Sequence, residues 1–267
     1  MMKIGTTLRN MGPLSTADIM STCARHADDL GFDSLWITDH IAIPPDDAEG
    51  SGGRYTDPLT TLAWLAGMTR SIHLGTGVLI APYRPALPTA KQIATIQELS
   101  NNRLLIGIAV GWMDAEFRAL GIDRHQRGRI TDETLNVFKA CFENDVVSLN
   151  GQDFIFSPRP PAPPIYIGGS AKHAPRRALK FGHGWIPMAK NPETLAKDMA
   201  AFQNLASEMG VEAGPVTVMA GLPAIDTQST IDSYRQLGVE RLICSVKYTN
   251  TDEYLTQLDK LAALALG

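Results

Sequence analysis

The sequence predicts a (β/α)8 barrel, the TIM-barrel class of α/β fold, with a small β-hairpin inserted near residues 146–156. Eight short apolar, β-branched runs each precede a helical pattern. Those runs are apolar on both faces, as strands buried between a barrel interior and a coat of helices are. An open doubly wound sheet would alternate similarly, but eight repeats within 267 residues favour closure, so one domain over 1–267 is expected.

KIGTTL (3–8) starts the series. Next, Ser15 or Thr16 can cap a helix in which Ile19, Cys23, Ala27 and Leu30 recur at helical spacing, and Gly31 ends it. SLWIT (34–38) is the second strand. After a Gly/Pro/Asp-rich loop, Asp57 caps a helix over 57–70 with Pro58 at its first position, where a missing N–H costs nothing. IHLGTGVLI (72–80) and LLIGIAV (104–110) are the third and fourth strands, on either side of a helix that begins ALPTAKQ. Residues 131–144 read as a helix capped by Thr131. VVSLNGQDFIF (146–156) then interrupts the alternation: two β-like runs around Asn150-Gly151 predict a hairpin outside the barrel. PIYIGG (164–169), WIPMA (185–189), VTVMAG (216–221) and RLICSV (241–246) complete the strands, each followed by a helical pattern.

Composition narrows the function. The chain is 44% apolar, ample for a buried core, and its net charge of -4 offers no basic surface for nucleic acid or anionic membrane. Cys23, Cys141 and Cys244 lie far apart, an odd count that fits reduced thiols in a cytoplasmic chain better than disulfides or zinc. MMKIGTTLRN is too short and polar for a signal peptide, and no apolar stretch reaches the ~18–20 residues that span a bilayer. The expectation is a soluble, cytoplasmic protein.

In such a barrel the loops after the strands gather at one face, which carries the active site, so strand C-terminal ends are the positions to inspect. SLWITDH ends on Asp39 and His40. A histidine there is a plausible proton donor or acceptor with a carboxylate to tune or orient it; a polar strand end meeting water would read the same. LGTGVLIAP (74–82) places two glycines at a strand end, permitting close approach of a flat ligand or a bulge; it lacks the third glycine of a dinucleotide fingerprint. GIAVGW (107–112) ends on Trp112, either a stacking wall for a ring system or a core tryptophan. In IYIGGSAKHAPRR (165–177), Gly168-Gly169 follows a strand and Ser170 can cap the next helix, with Lys172, His173, Arg176 and Arg177 in the following turns. That suits a phosphate, although a tight turn before a solvated basic face gives the same pattern. The six histidines show no HxH or HExxH spacing and there is no GxSxG elbow, so a metal site and a serine nucleophile are not expected; His183 in GHGW reads as a polar turn.

Together these segments resemble the luciferase-like monooxygenase superfamily, in particular its coenzyme F420-dependent oxidoreductases. The specific pieces are SLWITDH, the block from LGTGVLIAPYRPALP to LLIGIAVGW, RGRITDE (127–133) and PPIYIGG. The resemblance implies a barrel binding F420 or, alternatively, FMN at the C-terminal ends of the strands, with a non-proline cis peptide at Gly77-Val78 behind the ring. It implies Asp39 and His40 at the ring's reactive edge, with Ala109, Val110, Gly111 and Trp112 lining the cofactor. Gly168, Gly169 and Ser170 would bind its phosphate, and relatives commonly form homodimers. His40 is the expected acid/base, with Asp39 orienting it or hydrogen-bonding the cofactor. Arg54, Arg84, Lys172, Arg176 and Arg177 could meet the acidic tail of F420. One departure matters: the F420-dependent sugar-phosphate dehydrogenases of the superfamily carry a glutamate where Trp112 stands, so their substrate is not carried over. The expected function is hydride transfer between F420 and a small organic substrate. The alternatives are an FMN-dependent monooxygenase and a flavin-binding barrel without turnover.

Overall fold

Eight parallel strands close a barrel in the order in which the chain makes them. The computed structural model describes residues 1–170, 173–188, 191–221 and 227–266. The chain runs β1 (Lys3–Thr7), α1 (Ala17–Asp29), β2 (Ser34–Ile37), α2 (Pro58–Ala66), β3 (His73–Ile80), α3 (Ala86–Leu99), β4 (Leu104–Ala109), α4 (Asp114–Ala119) and α5 (Arg127–Glu143). It continues with β5 (Val146–Leu149), β6 (Gln152–Ile155), β7 (Ile165–Gly168), α6 (Ala174–Phe181), β8 (Gly184–Ile186), α7 (Pro192–Met209), β9 (Thr217–Gly221), α8 (Gln228–Gln236), β10 (Arg241–Ser245) and α9 (Thr251–Ala265). The sheet order is β8-β7-β4-β3-β2-β1-β10-β9, and a parallel bridge between Trp185 and Val216 joins its two ends. β5 and β6 form the expected hairpin apart from the barrel, turned by Asn150 and Gly151, both at positive φ.

Caps stop and start the helices where side chains can satisfy orphan N–H groups. Thr16, Asp57, Asn191, Thr227 and Asn250 each accept from the N–H three residues on. Two expected caps are corrected. α5 begins at Arg127, so Thr131 lies inside it, its hydroxyl donating to the Arg127 carbonyl one turn back. α6 begins at Ala174 with His173 at its cap position, so Ser170 is too far upstream to cap it.

The barrel interior is filled rather than hollow. Trp36, Leu105, Tyr166, Ile186 and Ile243 cluster there, with Val78 and Met219 packed against them. Fully burying each large apolar side chain contributes on the order of 1.5–3 kcal/mol. Gly75 makes room for Trp36: a Cβ on it would stand 2.5 Å from the indole ring. The N-terminal end of the barrel is sealed by buried Arg241, which donates to Asp33 at 2.7 Å and to the Tyr166 hydroxyl at 2.9 Å. The filled middle and the sealed base leave the C-terminal mouth as the face open to a ligand. No described helix is long and apolar enough to cross a membrane.

Candidate active site at the barrel mouth

Irregularity in β3 shapes the floor of the mouth. β3 pairs with β4 through Thr76↔Ile106 and resumes at Leu79↔Ile108, so Gly77 and Val78 bulge opposite Gly107, and the Gly77-Val78 peptide is cis. β4 and, one strand beyond it, β7 are thinned to accommodate it. A Cβ on Gly107 would meet the Thr76 carbonyl oxygen at 2.2 Å, and one on Gly168 would meet Val78 Cγ1 at 2.9 Å. The cis peptide thus falls where the family resemblance implied it.

β2 delivers Asp39 and His40 to the same rim, and the two side chains go to different partners. Asp39 is buried; its carboxylate accepts from the Ile80 N–H at 2.8 Å and from both terminal nitrogens of Arg84, at 2.7 and 2.9 Å. Arg84 also donates to Asp57 at 2.8 Å, the cap of α2. Asp39 therefore ties the end of β2 to the end of β3, and it makes no contact that would orient His40. Burial alone would lower the Arg84 pKa, but the bonds to Asp39 and Asp57 outweigh it and hold the guanidinium charged.

The orienting partner of His40 is Glu116, from the short helix α4. Its side chain has no exposed surface, and its Oε2 lies 2.8 Å from His40 Nδ1. Oε2 also accepts from the Tyr83 hydroxyl at 2.9 Å, while Oε1 accepts from the N–H groups of Ile41 at 2.6 Å and Ala42 at 3.0 Å. Burial pushes the Glu116 carboxyl up, but these four donors outweigh it and hold its pKa below the ordinary glutamate value. Tyr83 is shifted the other way, upward, by burial and then by its bond to Glu116, and so remains a neutral donor. An ionised carboxylate only accepts, so Nδ1 of His40 carries the proton and Nε2 has no hydrogen-bond partner among the described residues.

Sequence reading missed Glu116, although a signal existed. Met113, Glu116, Phe117 and Leu120 share one face at i, i+3, i+4 and i+7, which puts a carboxylate on an apolar stripe. Met113, Glu116 and Phe117 are all buried.

The remaining expected residues divide in two. Ala109, Val110 and Gly111 are half-buried at the end of β4, while Trp112 is 66% exposed with its ring 6.3 Å from that of His40. Gly168 and Gly169 end β7 half-buried, Gly169 at φ 131, and Ser170 is exposed. Of the cations expected to meet an acidic tail, three are engaged by the fold: Arg54 with Ser15, Arg84 with Asp39 and Asp57, and Arg177 with Asp132. Arg176 is exposed, and Lys172 lies outside the described residues. His183 is exposed ahead of β8, at the opposite end of the barrel from His40, as a polar turn.

Two observations fit a phosphorylated, flat ring system at the mouth. The bulge at Gly77-Val78 presents backbone and a small apolar side chain, with Gly107 on the adjoining β4 and Gly168 on β7, one strand further along. Beside it, α6 starts without a side-chain cap, and Arg124, four residues ahead of Gly128, has a buried Nε with no partner among the described residues. Gly128 in turn accepts from Arg177 of α6, which places the two helix starts together. An anion at the start of α6 would meet N–H groups that no side chain caps. Among the described residues no group of three or more His, Cys, Asp or Glu side chains could hold a metal ion. A separate groove of about 390 Å3, lined by Phe138, Phe142, Pro164 and Phe181, lies at the N-terminal end of β7 and takes no part in this site.

The fold and site together are a closed (β/α)8 barrel whose C-terminal mouth carries an oriented histidine at the end of β2 and a bulge in β3. The family model for luciferase-like monooxygenases matches residues 4–262, and the chain belongs to that family. An uncharacterized protein of Mycobacterium tuberculosis is 26% identical over 205 residues, 70% of this chain and 71% of the relative. The 5,10-methylenetetrahydromethanopterin reductase of Methanolobus tindarius is 31% identical over 186 residues, 67% of this chain but 53% of the reductase. Among solved structures, an F420-dependent secondary alcohol dehydrogenase with an F420–acetone adduct superposes with a TM-score of 0.81 at 16% identity, covering 99% of this chain and 98% of that one. A monooxygenase from Streptomyces bottropensis gives 0.80 at 20% identity, covering 99% of each. At such identities the structural likeness speaks for the fold.

Proposed function

We propose that this chain transfers a hydride between coenzyme F420 and a small organic substrate at the barrel mouth, with His40 as its acid/base. The observation that carries the reading is the His40–Glu116 pair beside the Gly77-Val78 bulge: an oriented, proton-bearing imidazole at the edge of a surface suited to a flat ring. The methylenetetrahydromethanopterin reductase relative and the F420-dependent dehydrogenase of like fold support the deazaflavin.

The cofactor supplies the hydride chemistry when bound. Ala109, Val110 and Gly111 would line its ring, and Gly168, Gly169, Ser170 and the start of α6 would hold its phosphate. Asp39 anchors the ends of β2 and β3 to each other through the Ile80 N–H and Arg84, which fixes the rim of the mouth. Glu116 holds His40 with Nδ1–H inward, so that Nε2 gives or takes the substrate proton. FMN is the second reading. It is favoured by one observation, the engagement of Arg54, Arg84 and Arg177 within the fold, which leaves fewer cations for an acidic tail.

Titration of the purified protein with F420 and with FMN, followed by the absorbance of each, distinguishes the readings. Binding of F420 in the micromolar range with reduction by a donor is expected. Tight FMN binding without F420 affinity moves the assignment to FMN, and binding without reduction by any donor makes the chain a cofactor-binding barrel. If neither cofactor binds, the proposal fails.

A further inference from the structure

We propose that Arg9 anchors the substrate, and that the small organic substrate carries a carboxylate which this guanidinium holds in the sector of the mouth that contains His40. The proposal deepens the reading of the mouth as an active site and rests on it.

Arg9 follows β1, and its contacts place it at the mouth. Its backbone N–H donates to the Tyr248 hydroxyl and its Nη1 to the Tyr248 carbonyl, both at 3.1 Å, just past the end of β10. Parallel strands end on one face, so β1, β10 and β2 deliver Arg9, Tyr248 and His40 to the same rim. The guanidinium lies over the Tyr248 ring, 5.8 Å from its centroid, which holds it in place. Its Nη2 lies near the β2–α2 connection: a Cβ on Gly12 would stand 3.7 Å from Nη2 and 2.9 Å from the Gly50 carbonyl oxygen. That connection carries Tyr55, which bridges back to Met11 and whose ring lies 4.9 Å from the His40 imidazole. Burial raises the Tyr55 pKa, and the nearby Arg9 charge acts on the hydroxyl in the opposite sense.

Unused hydrogen-bonding capacity decides the ligand class. The acids next to His40 are spent as acceptors. Each Glu116 oxygen takes two donors, and Asp39, its side chain without exposed surface, takes three from Ile80 and Arg84. A cationic substrate finds no open carboxylate oxygen on either. Arg9 is the converse: it is half-buried, in no ion pair among the described residues, and it spends only Nη1, on a neutral carbonyl. Its Nε and Nη2 have no acceptor among the described residues. Neither is sealed in the core, where the partnerless side-chain atoms are Arg124 Nε and Thr217 Oγ1. Together Nε and Nη2 form the side-on fork of a guanidinium, whose two parallel N–H groups match the two oxygens of a carboxylate. Arg54 is also in no ion pair, but its Nε and Nη2 are both taken by Ser15, so its fork is closed.

The test compares two matched probe pairs: levulinate with levulinamide, and 4-acetylbenzoate with 4-acetylbenzamide. Within a pair the ketone and the shape are kept and only the charge differs. Each is titrated by calorimetry into the protein alone and into protein saturated with the cofactor it binds. In both, the acids should bind about tenfold tighter than their amides, the worth of a charge-assisted pair. Arg9→Met should erase that preference, Arg9→Lys should keep part of it, and the cofactor Kd, read separately by absorbance, should move less than twofold in both variants. The preference of the unaltered protein should also shrink severalfold between about 50 and about 500 mM NaCl, a readout that holds even where Arg9→Met does not fold. Equal binding of acid and amide, no binding of either acid, or a preference indifferent to salt overturns the proposal. So does a folded Arg9→Met protein that keeps the preference, or one that loses F420 affinity instead, which would assign the guanidinium to the cofactor's acidic tail. Failure of the cofactor reading leaves a different mark: neither F420 nor FMN binds, while the preference for the acids is still read in the protein alone.

Discussion

Glu116 and His40 are 76 residues apart in sequence, yet a fully buried carboxylate oxygen of one stands 2.8 Å from Nδ1 of the other. The same carboxylate closes the loop behind His40 through the N–H groups of Ile41 and Ala42, so loop shape and imidazole tautomer are set together. Glu116 is a positioning residue: it acts on substrate only through His40.

That arrangement predicts a split between the conservative and the radical variant. Glu116→Ala leaves four donors without an acceptor and should cost at least ~3 kcal/mol of stability, read by urea unfolding. Glu116→Gln keeps the volume but offers one acceptor oxygen, so the fold should survive. Turnover should fall about 100-fold with little change in KM, and the pH–rate profile should shift, because the imidazolium loses its counter-charge. An unchanged pH profile in a folded Glu116→Gln protein would remove Glu116 from the mechanism. Loss of turnover in His40→Ala with cofactor still bound completes the test.

The Asp39–Arg84 pair lends itself to a double-mutant cycle. Arg84→Met strands a buried carboxylate and should cost about 3–5 kcal/mol. Asp39→Asn should cost less, since the Ile80 N–H retains an acceptor. The double variant should be more stable than Arg84→Met alone, with a coupling energy above ~1 kcal/mol. Additive losses would show that the two side chains do not depend on each other.

The bulge is tested by adding one carbon. Gly107→Ala drives a Cβ into the Thr76 carbonyl, 2.2 Å away, where backbone must move; more than ~3 kcal/mol should be lost, with a fall in Tm of about 2–4 °C per kcal/mol. Gly168→Ala meets the Val78 side chain at 2.9 Å, a milder clash, and should weaken cofactor binding more than stability. Equal loss of stability in both variants would separate the bulge from the cofactor surface.

How much of this was legible in the sequence follows from which contacts are local. The barrel strands were readable because each is a short run buried on both faces, and the caps Asp57 and Thr16 because capping acts within one turn. α5 was read four residues short, because Thr131 is as good a cap by composition as it is a mid-helix residue bonding back to Arg127. α4 was not read at all: six residues give less than two turns of periodicity. The site's residue types at strand ends were legible, but their pairing was not. Asp39 and Arg84 are 45 residues apart, and nothing between them says that the acid answers an arginine instead of its neighbour His40.

The thiols provide a chemical check on the core. Cys23, Cys141 and Cys244 are all buried, and burial pushes Cys23 and Cys244 up to about 12, so at pH 8 none of them carries appreciable thiolate. Ellman's reagent should titrate no thiol in the native protein and three in urea. Rapid reaction of one thiol under native conditions would place a strand or helix differently from the fold described above.

Acid should unfold the protein through a small set of named carboxylates. Burial pushes Asp28 up, but its bonds from the Ser71 hydroxyl and from the N–H groups of Arg70, Ile72 and Ser71 outweigh it and hold its pKa below the ordinary value; Glu116 is lowered in the same way. A carboxylate with a depressed native pKa binds fewer protons folded than unfolded. Its stabilisation is complete above the unfolded value of about 4 and is lost as pH falls through the native one. The urea midpoint should therefore be flat from pH 7 to about pH 5 and drop steeply below about pH 4. In Asp28→Asn and Glu116→Gln the plateau should start lower, and the drop should be shallower, because a neutral amide has no proton to take up. A midpoint that falls equally steeply in both variants would assign acid unfolding to other carboxylates.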